Sequence, residues 1–600
     1  MDGKGETGEG AAGKTDAYTR HWKLWVLIFW IAAAALLIFD RWNAIRWFGL
    51  GDTDDNLRMM QVRALLAGQD WFDLRQYRLD LPFGANVHWS RLVDLPLAGL
   101  LLILKPIFGG RVGEQIAVAI APLIPMALAM AAMAVTARRL ISPRAFALGV
   151  ALLVCAHSAR GMWSPTRLDH HGWQLALLSL VVVALVDRRH SRGGALMGAA
   201  SALSLVIGLE LLIYLAAAGA VAALLWIRDR DQAPRLAAYG ASLAGGSALG
   251  YLLFASYANR APVCDALSPV WLSAMVAAGA AAVALTLIPL RTRLARFGAA
   301  ASAGALLAAG FAFAWPHCLG RLEGVSPELQ RMWLDNVREA LPIYRHNLQT
   351  VAAVAALPVM GLIGYGVTLW RLRRQHDELV RWGAVALLAL LAASLLLWQS
   401  RAGPAAQLLA VPGAAALAWL IIPVIQQRTN MLVRMVGTVA AFALISGILP
   451  QYATRLVPEP KSKAMKAVNQ ANGKCPTLFA LRPIAKQPKG YVLTFVDLGP
   501  RLITVTHHDA VAGPYHRNQQ AILDVMRTFR GNVENARATV ARRGIDYVLI
   551  CPGLSESTIY RAHAPKGFYV QLAKGQVPDW LAPIALPKDS PFKMWRVVRR

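Results

Sequence analysis

Charge is the first scarcity in this chain. Only 16% of its 600 residues are charged, and aspartate plus glutamate account for 34 against 62 lysines and arginines. A soluble multidomain enzyme needs far more polar surface, so that class is excluded. Cysteine is sparse as well, at 5 residues, and no CxxC or Cys/His spacing offers a structural zinc site. The formal charge of +28 would suit nucleic acid. Zinc-finger spacing, RNA-binding aromatic motifs and long basic helices are all missing, however, and that partner is set aside.

What is abundant is apolar sequence, at 56% of residues and a mean hydropathy of +0.42. Runs such as residues 24–39 and 380–398 are long enough to span a bilayer. The first is followed by Asp40-Arg41-Trp42-Asn43 with no small-residue cleavage site, and it reads as a retained span. Residues 1–20, rich in Gly, Thr and Lys, read as a disordered cytoplasmic tail.

Arginine clusters at 138–144, 188–192, 228–235, 291–296, 371–381 and 428–434 separate the apolar runs. Short loops that keep such charge lie on the cytoplasmic side. The loops near Asp169, Leu209, Cys264, residues 318–349 and Arg401 then face the opposite side. This parity makes residues 92–108 an interfacial or re-entrant helix rather than a span. It leaves about thirteen spans across residues 21–450, with the N-terminus inside. External loops fall at 40–113 and 316–348, and a soluble external domain at 451–600. In that domain residues 490–496 and 502–506 alternate as strands, while 534–543 followed by 545–550 reads as helix then strand, a small α/β unit. Its lysines and arginines outnumber its acids 23 to 9, about half of the total surplus. Such charge suits anionic headgroups, a pyrophosphate or an acidic glycan, or is simply a solvated face.

Cys264 and Cys318 fall in external loops, Cys475 and Cys551 in the external domain. In an oxidising compartment these four make two disulfides, Cys264 with Cys318 and Cys475 with Cys551, on the ground of shared location.

The candidate chemistry collects on the same membrane face. Gly51-Asp52-Thr53-Asp54-Asp55-Asn56 places three carboxylates in four residues. Clustered carboxylates need a cation or a proton to hold them, or they cap the helix that residues 57–66 predict; both readings stand. Arg167-Leu168-Asp169-His170-His171 offers a metal-binding or proton-shuttling group, or solvated histidines. The polar loop 316–349 carries Asn336-Val337-Arg338-Glu339 and has the length of a lid or binding loop. Arg401 sits at a span's external end, where an arginine either snorkels or grips a phosphate. Glu210 lies within the apolar stretch 199–226, and its burial there would demand a partner or a function.

In this order the pieces resemble the membrane-embedded GT-C glycosyltransferases, most of all the catalytic subunit of oligosaccharyltransferase and its bacterial relatives. Asp54, Arg63-Ala64-Leu65-Leu66-Ala67-Gly68 and Phe83-Gly84-Ala85-Asn86-Val87-His88-Trp89 are similar to that family's first acidic loop. Asp169-His170-His171 resembles its second acidic motif, Val337-Arg338-Glu339 its glutamate motif, and Arg401 an arginine beside the lipid-linked pyrophosphate. The resemblance implies Asp54, Asp169 and Glu339 as ligands of Mn2+ or Mg2+, with Asp55 a further ligand or the base. It implies His88, Trp89, His170, His171 and Arg401 as substrate-binding residues; Glu210, by its place in an apolar stretch, and Tyr515, His516 and Arg517, in a turn-rich segment that either faces the cavity or is an ordinary surface loop, are candidates on position alone. The expected reaction is inverting transfer of a sugar or oligosaccharide from a polyprenyl-phosphate-linked donor to a glycan, lipid or protein acceptor. The expected setting is the periplasmic face of a bacterial inner membrane. The family's Trp-Trp-Asp acceptor-peptide motif is absent from residues 451–600, which turns the expectation away from peptide acceptors. The competing reading is a transporter or flippase of lipid-linked saccharides, weakened by the lack of an internal repeat.

Overall fold

A computed structural model describes residues 17–457 and 462–599. Among them, eight helices are long and apolar enough to cross a membrane, and nine if the pair Met431–Ile445 and Ile448–Leu456, bent by 83°, is one span. The expected count of about thirteen is reached only by adding the shorter apolar helices Phe146–Cys155, His171–Leu185 and Leu212–Arg228 and the helix His190–Ile207. The reason is physical. His190–Ile207 opens on His-Ser-Arg-Gly-Gly, and it and His171–Leu185 are packed inside protein, where a continuous lipid-matched surface is not required. Arg293–Ala314, by contrast, buries only Arg296 and leaves Leu294, Phe297, Leu306 and Phe313 exposed, a surface that only lipid satisfies. The protein is a multi-pass membrane protein, mainly α-helical. Met1–Asp16, most of the expected disordered tail, lies outside the described residues, while Ala17–Arg20 is a helical turn leading into Trp22–Asp40 and not disordered chain.

The membrane bundle is centred on Gly403–Gln426, buried without interruption from Ala405 to Ala418. It packs closely on Leu348–Arg371 through small residues: a Cβ on Gly364 would lie 2.0 Å from the Gly413 carbonyl oxygen.

The helix Asp94–Phe108, of 15 residues, is not among those long and apolar enough to cross a membrane. Leu97, Ala98 and Leu101 pack on Met59 and Val62 of the helix Thr53–Leu66, while Leu102, Ile103, Ile107 and Phe108 remain exposed. Gly109, at φ +80°, then turns the chain into the span Gly110–Leu140. One protein-facing and one apolar open face are what an interfacial helix presents.

The C-terminal region carries a five-stranded sheet of β1 (Tyr491–Leu493), β2 (Asp509–Ala510), β3 (Tyr547–Ile550), β4 (Leu581–Pro583) and β5 (Lys593–Val597). The order is β2-β1-β3-β5-β4, with β1 parallel to β2 and β3, and the β3–β5 and β5–β4 pairs antiparallel. The helix Val533–Arg543 feeds β3 as expected, but residues 502–506 are not a strand. They belong to the helix Gly499–Val505, which Pro500 starts in the first turn. The region is not a free-standing unit from residue 451 either. Its core residues Phe495, Ile522 and Val548 form one cluster with Leu57, Leu79 and Trp89 of the first external loop and Leu329 of the second. Arg78 ties the loop down, donating to the carbonyls of Ile503 (2.7 Å), Thr506 (3.0 Å) and His508 and to Asp509 (3.0 Å).

Disulfides join Cys264 to Cys318 and Cys475 to Cys551. Cys155 is free.

Candidate active site

The three acids of the first loop divide their work. Asp52 caps the helix Thr53–Leu66, accepting from the backbone N–H groups of Asp54 (2.9 Å) and Asp55, and Asp55 closes the reciprocal box by accepting from Asp52 N at 2.8 Å. The second loop docks here too: Asp55 Oδ1 accepts from Leu168 N (2.7 Å) and Asp169 N (2.9 Å). The expected role of Asp55 as base or ligand is therefore corrected, because its oxygens are spent stapling two chain segments together. Asp54 is the opposite case. Among the described residues no group donates to its carboxylate, and burial together with Asp52 and Asp169 pushes its pKa well above the usual carboxylate range, against His170 and Arg167. Such a group takes a proton or a cation readily.

Arg167 neutralises this cluster, reaching Asp52, Asp55 (3.6 Å) and Asp169 (3.0 Å). Asp169 also contacts His171 Nδ1 at 2.5 Å and His170 Nδ1 at 2.8 Å. Burial opposes its ionisation, but His171 and His170 hold it well below the ordinary range. His170 continues the chain of contacts to Glu210 Oε1 at 3.0 Å. Burial would discharge this imidazole, yet Asp169 and Glu210 push it up to about 10. Glu210 itself sits in the turn between His190–Ile207 and Leu212–Arg228, not inside a span, and also accepts from Gln174 at 2.7 Å.

The C-terminal region forms the third wall. Tyr515 donates to the Thr53 carbonyl at 3.0 Å, next to Asp54. His516 contacts Asp265 at 2.6 Å, and Arg517 grips the same carboxylate through Nε (2.8 Å) and NH2 (2.6 Å). His88 stands between the walls, 3.3 Å from Glu210 and with its ring 5.0 Å from that of His516.

Two of the expected residues fall elsewhere. Trp89 is 1% exposed, donates to Gln61 at 2.7 Å and lies under the Arg58 guanidinium, so in this structure it supports the wall from behind. Glu339 is exposed on the second loop, where its backbone carbonyl accepts from Ser400. Among the described residues it joins no cluster of metal-ligating atoms, and the expected Asp54–Asp169–Glu339 triad is not assembled. The spacing of a loop motif cannot say where a long loop packs. Arg401 is half exposed at the same height as Glu323, 4.0 Å away.

The ligating atoms that do meet are those of Asp169, His170 and His171, one carboxylate and two imidazoles, a set that fits a divalent cation; Asp54 joins no such cluster among the described residues but lies within electrostatic reach of Asp169. The sequence reading missed Arg167 as the clamp of the acids, and also Asp265 and Asp497. Asp265 follows a bridged cysteine, the one available signal. Asp497, in the turn before Gly499–Val505, comes within electrostatic reach of Asp52 and has no such signal.

The chain matches no protein-family model and no curated protein by sequence. Its structure is similar to that of the archaeal oligosaccharyltransferase AglB from Archaeoglobus fulgidus in complex with an inhibitory peptide and a dolichol-phosphate. That likeness has a TM-score of 0.65 and 14% identity over 98% of this chain and 75% of the other. The apo form of the Archaeoglobus fulgidus enzyme gives 0.58 and 17% over 88% and 69%. Its complex with Zn and sulfate gives 0.59 and 15% over 87% and 67%. At such identities what is shared is architecture, and this chain has the GT-C fold of the membrane glycosyltransferases.

Proposed function

We propose that this protein is an integral-membrane glycosyltransferase, moving a sugar or oligosaccharide from a polyprenyl-phosphate-linked donor to an acceptor on the periplasmic face of a bacterial inner membrane. The observation that carries the reading is the unbonded Asp54 carboxylate, set beside Asp169 where the first loop, the second acidic turn and the C-terminal region meet. The GT-C fold supports it, as does the dolichol-phosphate bound to the archaeal enzyme.

Asp54 orients the acceptor nucleophile and takes its proton, a task suited to a carboxyl whose pKa burial raises well above the usual carboxylate range. The nucleophile forms its bond to the anomeric carbon from the face opposite the donor phosphate, and the carbon–oxygen bond breaks with its electron pair passing to the phosphate. Arg401 receives that developing charge. A divalent cation, Mn2+ or Mg2+, held by Asp169 and His171 beside Asp54 would supply further positive charge beside the scissile bond. His170, kept cationic between Asp169 and Glu210, fixes the Asp169 carboxylate in place.

The test is a reconstituted assay with radiolabelled polyprenyl-linked sugars, with and without Mn2+, comparing the natural chain with Asp54→Asn. Label transfer or release that needs Asp54 supports the reading. Label that crosses the bilayer with its phosphate bond intact replaces it with transport.

A further inference from the structure

We propose that His88, Asp265 and His516 form a second metal site, for a zinc-class divalent ion, that clasps the C-terminal region to the membrane domain. The three residues come from the first external loop, the loop between Ala233–Phe254 and Pro269–Leu287, and the turn before the helix Gln519–Arg530. Each can offer one ligand atom such that the three lie within 4.8 Å of one another. Two imidazoles and a carboxylate are the donor set that zinc and its neighbours favour, and that magnesium does not.

The surroundings are those of a braced site. Arg517 holds both oxygens of Asp265, and its NH1 donates to Asn259 Oδ1 (2.7 Å) and the Val87 carbonyl (3.0 Å). Asn259 in turn donates to the His88 carbonyl at 3.1 Å. One arginine and one asparagine thus fix the carboxylate and the backbone bearing His88, as outer-shell partners fix ligands in metal sites. The Cys264–Cys318 disulfide anchors the residue next to Asp265. The three side chains are 21%, 10% and 12% exposed, sheltered yet reachable. Among the described residues His88 Nδ1 has no hydrogen bond, while its Nε2 lies 3.3 Å from Glu210. An ion pair of His516 and Arg517 with Asp265 accounts for those three residues, and the contact of His88 with Glu210 does not by itself account for its ring lying 5.0 Å from that of His516.

The experiment uses the full chain in detergent, stripped with a chelator and titrated with Co2+ as an optical probe, then with Zn2+ as competitor. Co2+ should bind at this site, apart from any ion held by the acidic cluster, with an imidazole-ligated absorption band that needs His88 and His516. His88→Ala and His516→Ala should each weaken it by about a hundredfold, while Asp54→Asn and Asp169→Asn leave that band in place. Zn2+ should raise the unfolding temperature of the natural chain but not that of the isosteric Asp265→Asn, which keeps the fold measurable if an alanine variant fails. The proposal is overturned if the natural chain gives no such band, if His88→Ala binds with undiminished affinity, or if the band vanishes in Asp54→Asn, which would assign the ion to the acidic cluster. None of these outcomes depends on glycosyl transfer.

Discussion

Asp54 and Asp55 are neighbours on one helical turn with opposite fates: among the described residues Asp55 accepts from three backbone N–H groups and the Asp54 carboxylate from none. One carboxylate holds the site together and the other is left to act. Asp54→Asn should therefore abolish transfer with an unchanged unfolding temperature. Asp55→Ala should cost about 3 kcal/mol, since three buried donors lose their acceptor. Thermal unfolding of both variants in detergent checks this, and equal stability would mean that the staple is not holding the loops.

Arg78 should be the strongest single fastener between the first loop and the C-terminal region. Arg78→Ala removes the donor to three carbonyls and one of the two cations on Asp509, Lys489 being the other at 3.3 Å, and about 3 kcal/mol of stability should go with them. Proteolysis should then cut the loop between Trp71 and Trp89 much faster, and resistance equal to that of the natural chain would contradict the docking.

The two disulfides enclose loops separated by 54 and 76 residues in sequence. A membrane-impermeant maleimide should label Cys264, Cys318, Cys475 and Cys551 only after reduction. Replacing either pair with alanines should cost about 3 kcal/mol. Labelling of Cys264 in the untreated protein would show that its bridge is not formed.

Glu556 supplies a pH dependence away from the membrane. It is 4% exposed, and burial together with the nearby Asp497 pushes it up from 4.5 to about 8. Between these values the folded chain holds a proton that the unfolded chain releases. Stability from this group is thus fully present below pH 4.5 and is lost as pH rises through about 8. Unfolding temperatures across this window should fall for the natural chain more steeply than for Glu556→Gln, and parallel curves would refute the assignment.

The membrane character, the helix over 94–108, the two cysteine pairs and the two acidic turns could all be read from the chain, because each depends on local properties. Hydrophobic length sets what a bilayer accepts, arginines stay on the side where loops are short, and an acidic turn before an apolar run marks a helix start. The division of labour among Asp52, Asp54 and Asp55 could not be read, since it depends on backbone N–H groups more than a hundred residues away, at Leu168 and Asp169. For the same reason Glu339 was drawn into the site by its motif and released from it by the packing of its loop. The strand expected at 502–506 gave way to a helix because its alternating apolar residues serve a core shared with Leu57 and Trp89. Asp265 became visible only when His516, Arg517 and His88 were brought to it. Sequence alone determined which stretches of this protein are long and apolar enough for lipid, because transfer free energy is summed along the chain. Which carboxylate is free and which histidines meet was decided by tertiary structure, because a buried polar group takes its character from partners that sequence distance does not reveal.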